Sequence, residues 1–131
     1  MTGKKTDIKT SLLGSTGERI AAGHLRANGY DIVEKNYRCR YGEIDIIARK
    51  GGVIAFVEVK LRGSDQYGRA AEFVDRRKQE KLCKTALQWL AQNGAELNAR
   101  FDVIEIYGKT GAFGYKVNQI NHIENAFDGV Y

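Results

Sequence analysis

Two short runs rich in isoleucine and valine, residues 42–48 and 53–60, constrain the fold of this chain more than any other stretch. They are separated by Arg49-Lys50-Gly51-Gly52, and the paired glycines suit the tight turn of a β-hairpin. In the second run Val53, Ala55, Val57 and Val59 point one way, while Ile54, Phe56, Glu58 and Lys60 point the other. Both faces are therefore largely apolar, which predicts a strand inside a sheet that is covered on both sides.

Charged residues within such strands need a reason, because a buried strand excludes them unless they are paired or bind something. Glu43 and Asp45 share a face with Ile47 by simple alternation, as Glu58 does with Lys60. A two-residue turn at Gly51-Gly52 then sets Asp45 opposite Glu58, with Cβ atoms roughly 4.5 to 5.5 Å apart. Two carboxylates at that distance repel unless a proton, an amine such as Lys60 or a metal ion settles them. Mg²⁺ suits this geometry, since it takes hard oxygen ligands and uses one or two carboxylates plus substrate phosphate oxygens. Lys60 could then orient or deprotonate an attacking water, or donate to the developing phosphorane oxygens. E-x-K by itself also occurs as an ordinary surface ion pair. Glu43, near the strand entrance, reads as peripheral, and Asp102 in R-F-D-V-I reads as a charge at a strand edge.

Elsewhere the pattern supplies the frame around the hairpin. Ser15-Thr16-Gly17-Glu18 has the form of a helix capping box, which predicts a helix over 16–28 stopped by Gly29. Residues 1–13 read as a flexible polar lead-in to a single domain over 14–131. Glu18 projects among Ala21, Ala22 and Leu25, so it either closes the capping box or looks toward the sheet, and both readings stand. A strand is expected over 30–37, a long helix over 73–92, and strands over 100–107 and 115–120 with a glycine-rich turn at 108–114. Lys78 and Gln79, at the start of the long helix, are either solvated or within reach of a substrate phosphate. The order α-β-β-β-α-β-β predicts an α/β fold, a mixed sheet flanked by helices.

Bulk properties narrow the rest. A chain of 131 residues with 43% hydrophobic and 28% charged residues suits one domain with one modest core. A net charge of +5 favours a polyanionic partner. Cys39 and Cys83, like His24 and His122, lie too far apart in sequence for a zinc motif, and the thiols read as free and structural. The lack of a signal-peptide or membrane-spanning run predicts a cytoplasmic protein with no membrane partner.

Gly17-Glu18, N-Y-R-C-R-Y-G-E-I-D-I-I-A at 36–48 and F-V-E-V-K-L-R at 56–62 together resemble the YraN family of bacterial nuclease-like proteins. The similarity runs on through Tyr67-Gly68, the Lys78 helix and R-F-D-V at 100–103. That resemblance implies a restriction-endonuclease-like fold, a PD-(D/E)xK site and a likeness to archaeal Holliday-junction resolvases, which act as homodimers. Asp45 then matches the Asp of the motif, Glu58 the (D/E), Lys60 the Lys and Glu18 the helix-borne acid, with Asp45, Glu58 and Glu18 as metal ligands. The chain contains no proline, so the P of the motif is missing here, as it is from the family's own G-E-I-D form.

The expected activity is Mg²⁺- or Mn²⁺-dependent endonucleolytic hydrolysis of DNA, branched or damaged DNA being the substrate class implied. Arg38, Arg40, Arg62 and Arg69 are the backbone contacts expected near the site, unless they serve solubility alone. The sequence offers no recognition helix to read bases, so selection by structure is expected. The competing readings are a non-catalytic nucleic-acid-binding or assembly protein that keeps the fold, and a protein-interaction domain with an internal ion cluster.

Overall fold

The computed structural model describes residues 3–63, 75–93 and 98–128, with side chains from residue 14 onward. Their elements follow the expected order: α1 (Gly3–Ala27), β1 (Asp31–Cys39), β2 (Gly42–Lys50), β3 (Val53–Gly63), α2 (Arg76–Asn93), β4 (Asn98–Gly111) and β5 (Gly114–Ile123). The strands lie in one sheet in sequence order, antiparallel except for β3 and β4. A parallel pair cannot be joined by a tight turn, and α2 is the helix of that crossover.

Each helix covers one face. On the first, Ala21, Ala22 and Leu25 of α1 pack on Ile46, Ala48, Ala55, Val57, Ile104 and Ile106. On the second, Leu82, Cys83, Ala86 and Trp89 of α2 meet Ile44, Ile47, Ile54, Phe56, Phe101 and Val103. β3 contributes to both clusters, as its two apolar faces require. Lys50 pairs with Val53, which leaves Gly51 and Gly52 as the turn, and Gly51 takes the left-handed φ of 60° that such a turn demands.

Several boundaries differ from the sequence reading. Helix α1 starts at Gly3 rather than near residue 16, so Ser15-Thr16-Gly17-Glu18 lies inside it and is no capping box. No proline interrupts the preceding residues, and a helix already under way removes the need for a side-chain cap. Helix α2 starts at Arg76, where the Asp75 carboxylate accepts the Lys78 amide at 2.9 Å as an N-cap. The expected start at Phe73 lies outside the described residues.

β4 and β5 extend through most of the glycine-rich stretch, with a register shift between Tyr107 and Gly108. There the backbone of β5 comes so close that a Cβ on Gly108 would run into the Lys116 carbonyl oxygen and the Tyr115 ring. Gly108→Ala is accordingly expected to lower stability by about 1–3 kcal/mol, the usual cost of overpacking. A urea midpoint equal to that of the wild type would show that the bulge has room to give.

Asp102 is no strand-edge charge, since only 1% of it is exposed. Its carboxylate accepts from Arg100 Nε at 2.8 Å, from the Asn125 amide at 3.0 Å and from His122 Nε2 at 2.8 Å. Burial pushes its pKa up, but the hydrogen bonds from His122, Arg100 and the Asn125 amide outweigh that and hold it below the ordinary carboxylate range. Glu105, equally buried, accepts from Arg62 Nε at 2.8 Å and Asn121 Nδ2 at 3.0 Å. Among the described residues, no helix is long and apolar enough to cross a membrane.

Candidate metal centre

The hairpin that defines the fold does not stay zipped. β2 and β3 pair from Lys50↔Val53 to Ile46↔Val57, and there the ladder ends. β2 stays with β1 as far as Cys39↔Gly42, while β3 stays with β4 as far as Gly63↔Gly108. The sheet therefore forks between its second and third strands. Side-chain alternation breaks at the same place: Ile44 joins the α2 side with Ile47, whereas Ile46 faces α1.

In the fork, Asp45 does what a ladder partner would otherwise do, accepting the Val59 amide through Oδ2 at 2.8 Å. The opened backbone lets α1 contribute from the far face. Glu18, Glu43 and Asp45, all half-buried, each bring one carboxylate oxygen within 4.8 Å of the other two. Asn36, opposite this point on β1, takes a left-handed φ of 55° that asparagine tolerates better than most residues. Its Nδ2 donates to Glu18 Oε2 at 3.0 Å, which settles where Glu18 looks.

Negative charge has accumulated here beyond what the local cations neutralise. Burial and the nearby Glu58 push Asp45 up to about 7 against the pull of the Val59 amide, with Glu18 and Glu43 adding to the rise. Arg38 reaches Glu43 at 3.2 Å, but its side chain is 74% exposed and the pair is screened. Glu58 is better matched, because Lys78 Nζ from α2 lies 2.6 Å from its Oε1. Lys60, half-buried two residues further along β3, makes no hydrogen bond or ion pair with another described residue. Its neighbour in register, Glu105, is already engaged by Arg62 and Asn121.

The four acids thus come from α1, β2 and β3 around one fork, and Lys60 follows Glu58 by two residues on β3. The donors nearest one another are all carboxylate oxygens, the hard ligand set that Mg²⁺ and Mn²⁺ prefer over softer imidazole or thiolate sites. Such an ion would also offset the burial and the repulsion that together raise Asp45.

The basic residues divide. Lys78 joins the cluster, with Gln79 half-buried beside it in the first turn of α2. Arg38 and Arg40 are exposed at the end of β1 and in the turn after it, Arg40 lying 4.8 Å from the centre of the Tyr41 ring. Arg62 sits on β3 with its side chain 17% exposed, paired with buried Glu105. Arg69 lies outside the described residues. Glu43, read from the sequence as peripheral, belongs to the cluster, and Asn36 was missed, since strict alternation gives no sign of a fork; the asparagine within an otherwise strand-forming run was the available signal.

Residues 17–106 match the profile of a family described as "Uncharacterised protein family UPF0102". A UPF0102 protein of Geobacter metallireducens is 48% identical over 120 residues, covering 91% of this chain and 94% of that protein. Another, of Caldanaerobacter subterraneus subsp. tengcongensis, is 45% identical over 125 residues, covering 95% and 99%. A third, of Nitrosomonas europaea, is 42% identical over 115 residues, covering 88% and 92%.

Proposed function

Since the chain belongs to family UPF0102, the YraN family, whose description assigns no activity, we propose its function from the site: a Mg²⁺- or Mn²⁺-dependent endonuclease that hydrolyses phosphodiester bonds in DNA. The observation that carries this reading is the convergence of Glu18, Glu43 and Asp45 in the forked sheet, with Glu58 near enough to raise Asp45. A structural ion cluster would neutralise its acids, whereas here Asp45 is left with its proton affinity raised. The net charge of +5 and the basic side chains Arg38, Arg40 and Lys78 around the site suit a phosphate backbone. The reading extends to branched or damaged DNA, to a homodimer and to a cytoplasmic location.

Asp45, Glu58 and Glu18 would hold the ion, with Glu43 within reach of the first and third. Such an ion would supply polarisation of the scissile phosphate and a lower pKa for an attacking water. Lys60, not engaged by an acid among the described residues, orients that water and donates to the oxygen on which charge develops. Asn36 fixes the Glu18 carboxylate through its amide. Lys78 holds Glu58 in place from α2, and its ammonium would offer a donor to a substrate phosphate oxygen.

The test is incubation of the purified protein with linear, flapped and four-way DNA in Mg²⁺ or Mn²⁺, beside Glu58→Ala and Lys60→Ala. Cleavage of branched DNA reduced at least about a hundredfold in each variant is the expected result. Salt-sensitive binding with no cutting in any metal would favour a non-catalytic nucleic-acid-binding or assembly protein. Absence of both would leave the cluster as an internal ion network.

A further inference from the structure

His24 and His122, 98 residues apart in sequence, meet on the α1 side of the sheet. His24 stands in the last turn of α1, and His122 lies on β5 opposite Ile104, a residue of the cluster that packs on α1. His24 Nε2 is 3.3 Å from His122 Nδ1. Two imidazole nitrogens bound at about 2.0–2.1 Å to one tetrahedral ion are separated by about 3.3 Å, so the pair is already spaced as ligands.

The far side of His122 fixes how its ring is presented. Its Nε2 lies 2.8 Å from Asp102 Oδ2, and an ionised carboxylate can only accept. The Nε2 proton therefore points at Asp102, and the Nδ1 lone pair of neutral His122 faces His24. Asp102 is itself immobilised by two bonds from Arg100 and one from the Asn125 amide. A buried carboxylate that orients a histidine in this way is the usual outer partner of a metal-bound imidazole. His122 is 11% exposed and His24 half-buried, so water has access to complete the coordination of an ion held by the two.

We infer that His24 and His122 form a second metal site, for a divalent cation of borderline softness such as Zn²⁺, with Asp102 as the residue that positions His122. Imidazole selects Zn²⁺, Co²⁺ or Ni²⁺, where the carboxylate fork selects Mg²⁺ or Mn²⁺. The two sites are made from different residues and call for different ions. Binding needs His24 in the tautomer protonated at Nδ1, so the proton between Nε2 of His24 and Nδ1 of His122 passes through water to His24 Nδ1 and both rings ligate as neutral imidazoles.

Metal-free full-length protein is titrated with Co²⁺ in excess Mg²⁺, visible absorbance being followed, and the Co²⁺ is then displaced with Zn²⁺. One equivalent with the intense bands of a four-coordinate ion is expected from the wild type and from Asp45→Asn. His24→Ala should weaken Co²⁺ and Zn²⁺ binding at least about tenfold and lose the bands. Its melting curve confirms folding, and His24→Gln takes its place if the alanine variant does not fold. Equal uptake by the His24 variants, uptake lost in Asp45→Asn, or no uptake by the wild type would each overturn the assignment.

Discussion

Asp45→Asn should abolish divalent-cation-dependent cleavage and at the same time make the metal-free protein more stable at pH 8. The loss of activity is expected to reach at least about a hundredfold, the scale on which removing one preorganised charge-stabilising group acts. The gain in stability follows from the raised affinity of Asp45 for its proton, a pKa of about 7 against an ordinary 3.8. Below pH 4 the folded and unfolded chains are both protonated at this position. Between pH 4 and 7 the unfolded chain gives up its proton first, so each rise in pH costs the folded state stability, and by pH 8 the advantage of the protonated form is gone. Asparagine keeps an oxygen for the Val59 amide but never ionises. Its advantage over the wild type should be absent near pH 4 and reach on the order of 2 kcal/mol at pH 8, with allowance for solvent reaching the carboxyl. Melting curves in a chelator across that range check the sign, and an asparagine variant that melts below the wild type at pH 8 would remove the electrostatic basis of the site. Added Mn²⁺ should raise the melting temperature of the wild type and reverse the ranking.

The largest loss of stability is expected from Asp102→Ala. That side chain is buried and accepts four hydrogen bonds, two from Arg100 and one each from His122 and the Asn125 backbone. Its removal strands a partly buried guanidinium and leaves an imidazole and an amide short of their acceptor. Breaking a buried pair from one side costs about 3–5 kcal/mol, a large share of the stability of a domain this size. Asp102→Asn, which keeps one acceptor oxygen, should fall between alanine and the wild type. Urea unfolding measures both, and an alanine variant within about 1 kcal/mol of the wild type would mean that water replaces the carboxylate at little cost.

The parts of this molecule that were readable from sequence are those fixed by neighbours in the chain. Gly51-Gly52 set the hairpin register, and the two apolar faces of residues 53–60 announced a strand covered on both sides. Asp45, Glu58 and Lys60 stood out because their chemistry is wrong for such a strand unless it has a use. What escaped depends on contacts between distant segments. The break of alternation between Ile44 and Ile46 has no local signature, so Glu43 was placed at the periphery and Asn36 was passed over. Asp102 read as an edge charge because its partners Arg100, His122 and Asn125 meet only once β4 and β5 have paired. Helix α1 was truncated in the reading because S-x-x-E describes a helix start equally well when it sits in the middle of one.

The forked sheet carries a consequence for anyone who would improve this protein. β2 and β3 give up their mutual hydrogen bonds beyond Ile46 and Val57, and it is through that opening that an acid from α1 comes beside acids from the strands. A sequence edited toward ideal β-regularity, with the gap sutured and its carboxylates made neutral, would gain thermal endurance and lose the acid cluster. On the proposed function, ruggedness and reactivity compete at that seam, and consensus-style stabilisation would cost cleavage before it cost folding.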